Sequence, residues 1–253
     1  ILIAISGPSS SGKTTLARLL RSLLPHSTIL HLDDFYVPDI DIPTHGATRF
    51  PDWDCLDALN IPQLRDTLAY VRTHGVTPPG FESKEDKNET GKCAVDDGVV
   101  ARCKAQIEAF FDKAEEQGKP LRKRIVLVEG FLLFSQDMAE LGIRDQFDAR
   151  LLLRADFATA KTRREERSGY VTLEGFWEDP PGYVEKIVWP NYVEDHGFLF
   201  EGGDVEGEWD EEACREAGVV GMPKEAERRM DRCLEWATTT LLDTLAKQTG
   251  VQM

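Results

Sequence analysis

The sequence predicts an α/β fold on a parallel sheet, and three stretches near its start carry that expectation. Ile1-Leu2-Ile3-Ala4-Ile5 is a continuously apolar run, as a strand buried on both faces requires. After a glycine-bearing loop, Ser6 to Gly12, the residues Leu16, Leu19, Leu20, Leu23 and Leu24 recur at i, i+3, i+4, i+7 and i+8, the stripe of an amphipathic helix that Pro25 ends. Thr28-Ile29-Leu30-His31-Leu32 then reads as a second strand, running into Asp33-Asp34. Strand, loop, helix and strand in that order open a βαβ unit, whose strands run parallel.

The remaining elements follow in order. Residues 37–54, rich in Pro, Asp and aromatics, read as an irregular segment, and loops of that length are often functional. A helix is expected over 55–74, broken near Pro62. Residues 76–100, with Pro78-Pro79-Gly80 and a charged, weakly apolar stretch, read as a surface insertion. A polar-faced helix over 100–117 comes next. Ile125-Val126-Leu127-Val128 is the clearest strand of the chain and ends at Glu129-Gly130. Ala149 to Leu153 forms another strand, leading into a helix with Arg163, Arg164 and Arg167. The acidic stretch 201–216 reads as a second insertion, and Val219-Val220 as a short last strand. A final helix over 224–246 has Met230, Cys233, Leu234, Ala237, Leu241 and Leu245 as its apolar side. No internal repeat or second core is evident, so 1–253 is expected to be a single domain. The chain opens at Ile1 already inside a strand pattern, so a few residues are expected to precede it.

Bulk properties narrow the function classes. A formal net charge of -15 argues against nucleic acid or an anionic membrane as partner, since both are polyanions. Cys55, Cys93, Cys103, Cys214 and Cys233 are odd in number and form no C-x-x-C pair, which excludes a disulfide framework or a zinc site and fits a reducing compartment. No apolar run reaches the roughly 18 residues of a membrane span. Asn88-Glu89-Thr90 matches a glycosylation acceptor, which in a cytosolic chain is chance.

Gly7-Pro8-Ser9-Ser10-Ser11-Gly12-Lys13-Thr14 fits G-x-x-x-x-G-K-[ST] at every fixed position, between a buried strand and an amphipathic helix. Glycines let backbone N–H groups turn inward around phosphate oxygens, and the helix N-terminus adds partial positive charge. Gly7, Ser9, Ser10, Ser11, Gly12, Lys13, Thr14 and Thr15 are therefore the expected nucleotide contacts, with Lys13 reaching the β and γ phosphates. The Thr14 hydroxyl suits Mg²⁺, a cation that prefers oxygen ligands. This is a P-loop, and it binds a nucleoside triphosphate.

Three features point to a kinase among P-loop proteins. Asp33 and Asp34 sit at the carboxyl end of the second strand, where ligands gather in open α/β sheets. An acid there can hold Mg²⁺ through water and accept a hydroxyl proton. Glu129 ends a buried strand as a second such acid, and which of Asp33 and Glu129 is the base stays open. Arg163 and Arg167 share a helix face at i, i+4, beside Arg164, and guanidinium groups suit a transferring phosphoryl group. The flanking Ser168-Gly169-Tyr170 and Pro180-Pro181-Gly182 suggest a movable lid over 163–183 that excludes water. A GTPase would need an N-K-x-D-type motif, and none is present.

These residues, with Leu32-Asp33-Asp34-Phe35-Tyr36, Trp53-Asp54, Glu129-Gly130-Phe131-Leu132-Leu133-Phe134, and Pro181-Gly182-Tyr183 through Val188-Trp189-Pro190, together resemble the eukaryotic nicotinamide riboside kinases. Uridine kinases share the P-loop, the D-D-F-Y segment and a similar lid. The resemblance implies an NMP-kinase-like fold, a parallel five-stranded sheet flanked by helices with a small lid. It implies ATP- and Mg²⁺-dependent phosphorylation of the 5′-hydroxyl of nicotinamide riboside, feeding NAD synthesis; the cysteine pattern leads to a cytoplasmic setting, and a monomer is expected. It further implies Asp33 as catalytic acid and Mg²⁺-linked carboxylate, Thr14 as the direct Mg²⁺ ligand, Lys13 and Glu129 in the catalytic set, and Arg163 and Arg167 on ATP. Arg164 would touch the substrate or the transferring phosphate. Asp33, Asp34, Phe35, Tyr36, Trp53 and Asp54 would bind the riboside, with Trp53 stacking on the nicotinamide ring and Asp54 accepting a ribose hydroxyl. Chemistry agrees: the substrate carries a pyridinium charge, and Trp is the best cation–π partner. A uridine or cytidine kinase, or a nucleotide-binding regulator without turnover, are the alternatives. The stretches 76–124 and 201–216 are longer than the family pattern, the 163–167 segment is more acidic, and the adenine-contacting loop is expected near Gly221 to Lys224.

Overall fold

The computed structural model describes residues 1–85, 93, 95–121, 124–167, 169–172 and 175–252. The apolar opening run is strand β1 (Leu2–Ser6), buried throughout. Helix α1 (Lys13–Leu23) starts directly from the glycine loop, and β2 (Thr28–His31) follows. Then come α2 (Ile61–His74), α3 (Asp97–Glu116), β3 (Val126–Glu129), α4 (Gln136–Glu140), β4 (Ala149–Leu152) and α5 (Phe157–Glu165). The short strands β5 (Tyr170–Val171) and β6 (Phe176–Trp177) form an antiparallel pair. A π-helical turn, Val184–Val188, runs into α6 (Trp189–His196), and α7 (Glu211–Ala217), β7 (Val220–Gly221) and α8 (Met230–Thr249) complete the chain.

Five strands form one parallel sheet in the order β2-β3-β1-β4-β7. Alternation along each strand divides the core between its faces. Ile3, Ile5, Leu127 and Leu151 pack with α1, α3 and α8 on one side. Leu2, Ala4, Val126, Val128 and Leu152 pack with α2, Leu133, Phe134 and Tyr192 on the other. Parallel pairing also gathers the carboxyl ends of β1, β2 and β3 on one edge, with His31 in register with Glu129. That edge is where an open α/β sheet places its ligands.

Several expected boundaries shift for identifiable reasons. The helix read over 55–74 begins at Ile61, because Leu56–Ala58 is a separate 3-10 turn. Pro62 does not break it: in the first turn its missing N–H costs no bond, and Asn60 caps the end by accepting from the Gln63 amide at 3.1 Å. Residues 97–100, read as insertion, form the first turn of α3, capped by Asp96. The face of α3 is not polar all round. Val99, Cys103, Ile107, Phe110 and Ala114 make a stripe one residue wide that is buried against the α1 and α8 layer. The 201–216 stretch holds part of α7 and the buried Val205 and Cys214. Beside it Trp209 packs so closely on Gly221 that a Cβ there would lie 2.4 Å from the indole. The last helix begins at Met230 rather than 224, since Arg228 adopts a left-handed φ of 61°. Asn88-Glu89-Thr90 and Ser168 lie outside the described residues. Among the described residues no helix is long and apolar enough to cross a membrane.

If α3 belongs to the core, Ile107→Ala will lower the unfolding free energy by about 2–4 kcal/mol in urea denaturation. An unchanged urea midpoint would place that helix outside the core.

Candidate active site

The loop after β1 takes its shape from two glycines. Gly7 has φ of 144°, and a Cβ on it would stand 2.6 Å from the Leu153 carbonyl oxygen. Gly12, at φ 101°, turns the chain into α1 so that the helix N-terminus faces the loop. Lys13 is buried beneath it, its Nζ donating to the carbonyls of Gly7 (3.0 Å) and Pro8 (2.9 Å). Burial lowers the Lys13 pKa, against the pull of Glu129 and Asp33.

Glu129 joins three elements. Its Oε1 accepts the Thr14 hydroxyl from α1 at 2.9 Å and lies 2.6 Å from Nδ1 of His31 at the end of β2. Burial alone would raise the Glu129 carboxyl, but His31, Lys13 and Thr14 hold it below its ordinary value. Burial would likewise lower His31, yet its bond to Glu129 carries it above the usual range. Asp33 behaves oppositely. Burial and the charges of Glu85 and Glu129 raise it to about 8, only partly offset by Lys13 and His31. Lys13, Thr14, Asp33, Glu85 and Glu129 all face one cleft.

The far wall of that cleft is aromatic. Trp53 meets Tyr36 edge-on with centroids 5.2 Å apart and Trp177 at 5.7 Å, and Tyr36 lies nearly parallel to Phe131 at 6.3 Å. The Tyr183 hydroxyl fixes the Trp53 backbone, accepting its N–H at 3.0 Å while donating to the Pro51 carbonyl at 2.9 Å. The indole Nε1 of Trp53 is buried with no hydrogen-bond partner among the described residues.

Arg164 closes the cleft at its upper end. Nε donates to Asp179 Oδ2 (2.6 Å), Nη1 to Ser9 Oγ (2.8 Å) and Asp54 Oδ1 (3.0 Å), and Nη2 to Asp54 Oδ2 (3.1 Å) and Asp179 Oδ1 (3.2 Å). A guanidinium has five N–H donors, so every one is committed to protein oxygens. Rings of Tyr170 and Tyr183 lie 5.2 and 5.5 Å from its central carbon. Burial alone would lower this guanidinium, and the charges of Asp54 and Asp179 more than reverse that, holding it well above its ordinary value.

On the other side of the P-loop lies a larger cavity, about 880 Å³, walled by Ser10, Ser11, Gly12 and Thr15 and by Arg154, Arg163, Arg167, Met222, Ala226 and Met230. Ser10, Gly12, Thr15 and Arg167 face both spaces.

Most residues expected at the site converge there, but not all on one surface. Ser9, Ser10, Gly12, Lys13, Thr14, Thr15, Asp33, Asp34, Tyr36, Trp53, Asp54, Glu129, Arg164 and Arg167 line the first cleft. Ser11 and Arg163 face the second cavity, Arg163 being exposed with Nη1 3.4 Å from the Ser10 carbonyl. Phe35 is fully buried against Phe81 in the core behind the cleft rather than on its wall. Asp34 anchors a loop, its Oδ1 accepting the amides of Lys84 (2.7 Å) and Glu85 (3.1 Å). Arg163 and Arg167 do not share a helix face, because α5 ends at Glu165. The β5–β6 hairpin covers the cleft within the expected lid, and Thr172 hooks it to Asp39 at 2.7 Å. Glu85, Phe131 and Trp177 also line the cleft, with His31 behind Glu129 and Asp179 behind Arg164, and none of the five has a site role in the sequence reading. For His31 a signal existed: a polar residue ending an apolar strand, at the same sheet edge as Glu129.

No family model matches the chain. Nicotinamide riboside kinase from Schizosaccharomyces pombe is 39% identical over 82% of this chain and 84% of that protein. The Saccharomyces cerevisiae enzyme of the same name is 35% identical over 82% of each. Human nicotinamide riboside kinase 1 is 27% identical over 76% of this chain and 74% of its own. Among solved structures, a sugar kinase from Janibacter sp. HTCC2649 superposes at a TM-score of 0.45 with 14% identity over 95% of this chain and 93% of that one, too weak a likeness to inform function. With the two yeast enzymes matched along most of their length, the chain belongs to the nicotinamide riboside kinase family.

Proposed function

We propose that this chain transfers the γ-phosphoryl group of ATP to the 5′-hydroxyl of nicotinamide riboside, forming nicotinamide mononucleotide for NAD synthesis. One observation carries the reading: the P-loop stands as a partition between an acidic, aromatic cleft and an arginine-lined cavity. The first has the chemistry of a pyridinium riboside, with aromatic faces for the cation and carboxylates for hydroxyls. The second has the chemistry of a purine triphosphate, with Met222, Ala226 and Met230 for the base and arginines for phosphate. The γ-phosphoryl group would sit at the boundary, against Lys13 and the loop amides.

Within this reading Trp53, Tyr36 and Trp177 enclose the nicotinamide ring, and Asp54 accepts a ribose hydroxyl through lone pairs not used by Arg164. Asp33 takes the proton of the attacking hydroxyl as the new O–P bond forms and the bond to ADP breaks. Held near 8 by burial and by Glu85 and Glu129, Asp33 is drawn down by any positive charge entering the cleft, so its readiness as a base follows substrate binding. Glu129, already ionised and tied to Thr14 and His31, is a poorer proton acceptor and acts as the fixed anchor. Arg164 positions Asp54 and the P-loop.

Thr14 and Asp33 would hold Mg²⁺. The donors fit a hard divalent cation: a hydroxyl and mutually repelling carboxylates in one buried pocket. Among the described residues no three His, Cys, Asp or Glu side chains could hold a metal on their own, and Mg²⁺ in kinases takes one or two protein ligands plus phosphate oxygens. The cation supplies charge neutralisation on the phosphates. A cytoplasmic setting is supported by five free cysteines. A pyrimidine riboside is the less favoured acceptor, because a neutral base gains nothing from so many carboxylates.

Two outcomes test this. ADP release with ATP and Mg²⁺ should require nicotinamide riboside and be absent with uridine, and Asp33→Ala should lose at least about 10²-fold in turnover while still binding ATP. Turnover with uridine instead would overturn the substrate. The second concerns pH. Between its ordinary 3.8 and about 8 the folded protein keeps on Asp33 a proton that the unfolded chain has released, so this residue makes folding less favourable as pH rises through that window. Asp33→Asn removes the effect, and its melting temperature should gain on the parent from pH 5 to about pH 8 and level off above it. A gain independent of pH would show that Asp33 is ionised throughout.

A further inference from the structure

Asp179 follows β6 on the lid side of the cleft, two residues before Pro181-Gly182-Tyr183. Its carboxylate receives three hydrogen bonds. Trp177 Nε1 donates to Oδ1 at 2.8 Å, Arg164 Nη2 to the same oxygen at 3.2 Å, and Arg164 Nε to Oδ2 at 2.6 Å. The side chain is 15% exposed and its arginine partner 7%, so the pair is largely withdrawn from solvent. Trp177 faces Trp53 across the cleft, while Arg164 reaches Ser9 on the P-loop and Asp54 on the riboside side. One carboxylate thus links the aromatic cover of the ring site to the arginine that joins both substrate loops.

We propose that Asp179 is a positioning residue that couples seating of the riboside ring under Trp177 to sealing of the phosphoryl-transfer site by Arg164. The inference rests on the riboside kinase reading above. Chemistry makes the carboxylate hard to replace. Asparagine offers a single oxygen acceptor, and its NH₂ group would confront N–H donors of Arg164 or Trp177. A buried guanidinium that loses one of two counter-ions relaxes toward the other, here Asp54, or toward water. Either movement frees the hairpin, opens the ring site and lets water compete for the phosphoryl group. ATP, held on the opposite side of the P-loop, would be little affected.

Steady-state kinetics of Asp179→Asn give the test. The riboside KM should rise about tenfold to a hundredfold, as expected for losing hydrogen bonds between charged groups, with the ATP KM within about twofold of the parent. ADP formed per mononucleotide should climb above one as hydrolysis competes, an outcome that a simple loss of stability does not produce. Should that variant fail to fold, Trp177→Phe decides. It keeps an aromatic ring and removes the N–H given to Asp179, and should raise the riboside KM about threefold to tenfold. A riboside KM within about twofold of the parent in Asp179→Asn, or in Trp177→Phe where the first is unfolded, overturns the proposal. Failure of the substrate reading looks different: the parent itself would turn over uridine and not nicotinamide riboside, and the same comparison of variants would then be run on uridine.

Discussion

The catalytic edge depends on the Glu129 carboxylate. It is the point at which side chains of β2, β3 and α1 are tied together, through His31 at 2.6 Å and Thr14 at 2.9 Å, at the end of a sheet whose strands are joined by their backbone ladder and by apolar packing. Parallel register supplies the geometry, since His31 pairs with Glu129 along β2 and β3. Burial supplies the energy scale: a charge at that depth is tolerated because its partners are fixed before any substrate arrives. Lys13, the P-loop cation, faces the same carboxylate, so loop, strand ends and helix N-terminus are positioned by a single network of charge.

Arg164 plays the corresponding part on the other side of the cleft. Glu129 draws hydroxyl and imidazole donors to one anion, whereas Arg164 spreads five donors over two anions and a serine. The two centres have opposite sign and the riboside cleft lies between them. This arrangement explains how a chain of net charge -15 can handle a polyphosphate. Asp33, Asp34, Asp54, Glu85 and Glu129 line the riboside cleft, while Arg154, Arg163, Arg228 and Arg229 are found only in the wall of the cavity beyond the P-loop. Global charge speaks of solubility and of attraction for a cationic substrate; the local field decides where phosphate sits.

Much of this was legible in the sequence, and the exceptions share a cause. The opening strand, the P-loop, Asp33, Glu129 and the aromatic–acid pair Trp53-Asp54 are contiguous signals, readable from neighbours in the chain. The start of the helix at Asp97–Glu116 is hidden in the sequence because its buried stripe is narrow and flanked by charged residues. Pro62 reads as a break because sequence alone does not show that it falls in a first turn. Phe35 sits in the motif expected to bind the riboside, yet Leu32–Phe35 is a 3-10 turn whose three-residue period puts Phe35 with Leu32 in the core while Asp33 and Asp34 face the cleft. His31 and Asp179 owe their positions to partners 98 and 15 residues away, and no local pattern announces such pairs.

Asp33 shows what the site costs the fold. A carboxyl raised to about 8 by burial and by two acidic neighbours is less stable ionised in the native protein than in water. The β1–β3 core and its helices offset this local penalty, because the same register that packs Ile5 and Val128 also delivers the P-loop and Glu129 to the edge where Asp33 lies. A carboxyl with free access to water would be stable and ionised, but its basicity would be fixed at a low value whatever was bound. Crowding it among acids leaves its proton affinity sensitive to the charge that enters with the substrates. The destabilised residue is therefore the one whose chemistry can respond to them, and the rigid ion pairs at Glu129 and Arg164 keep that response confined to Asp33 rather than spread through a yielding structure.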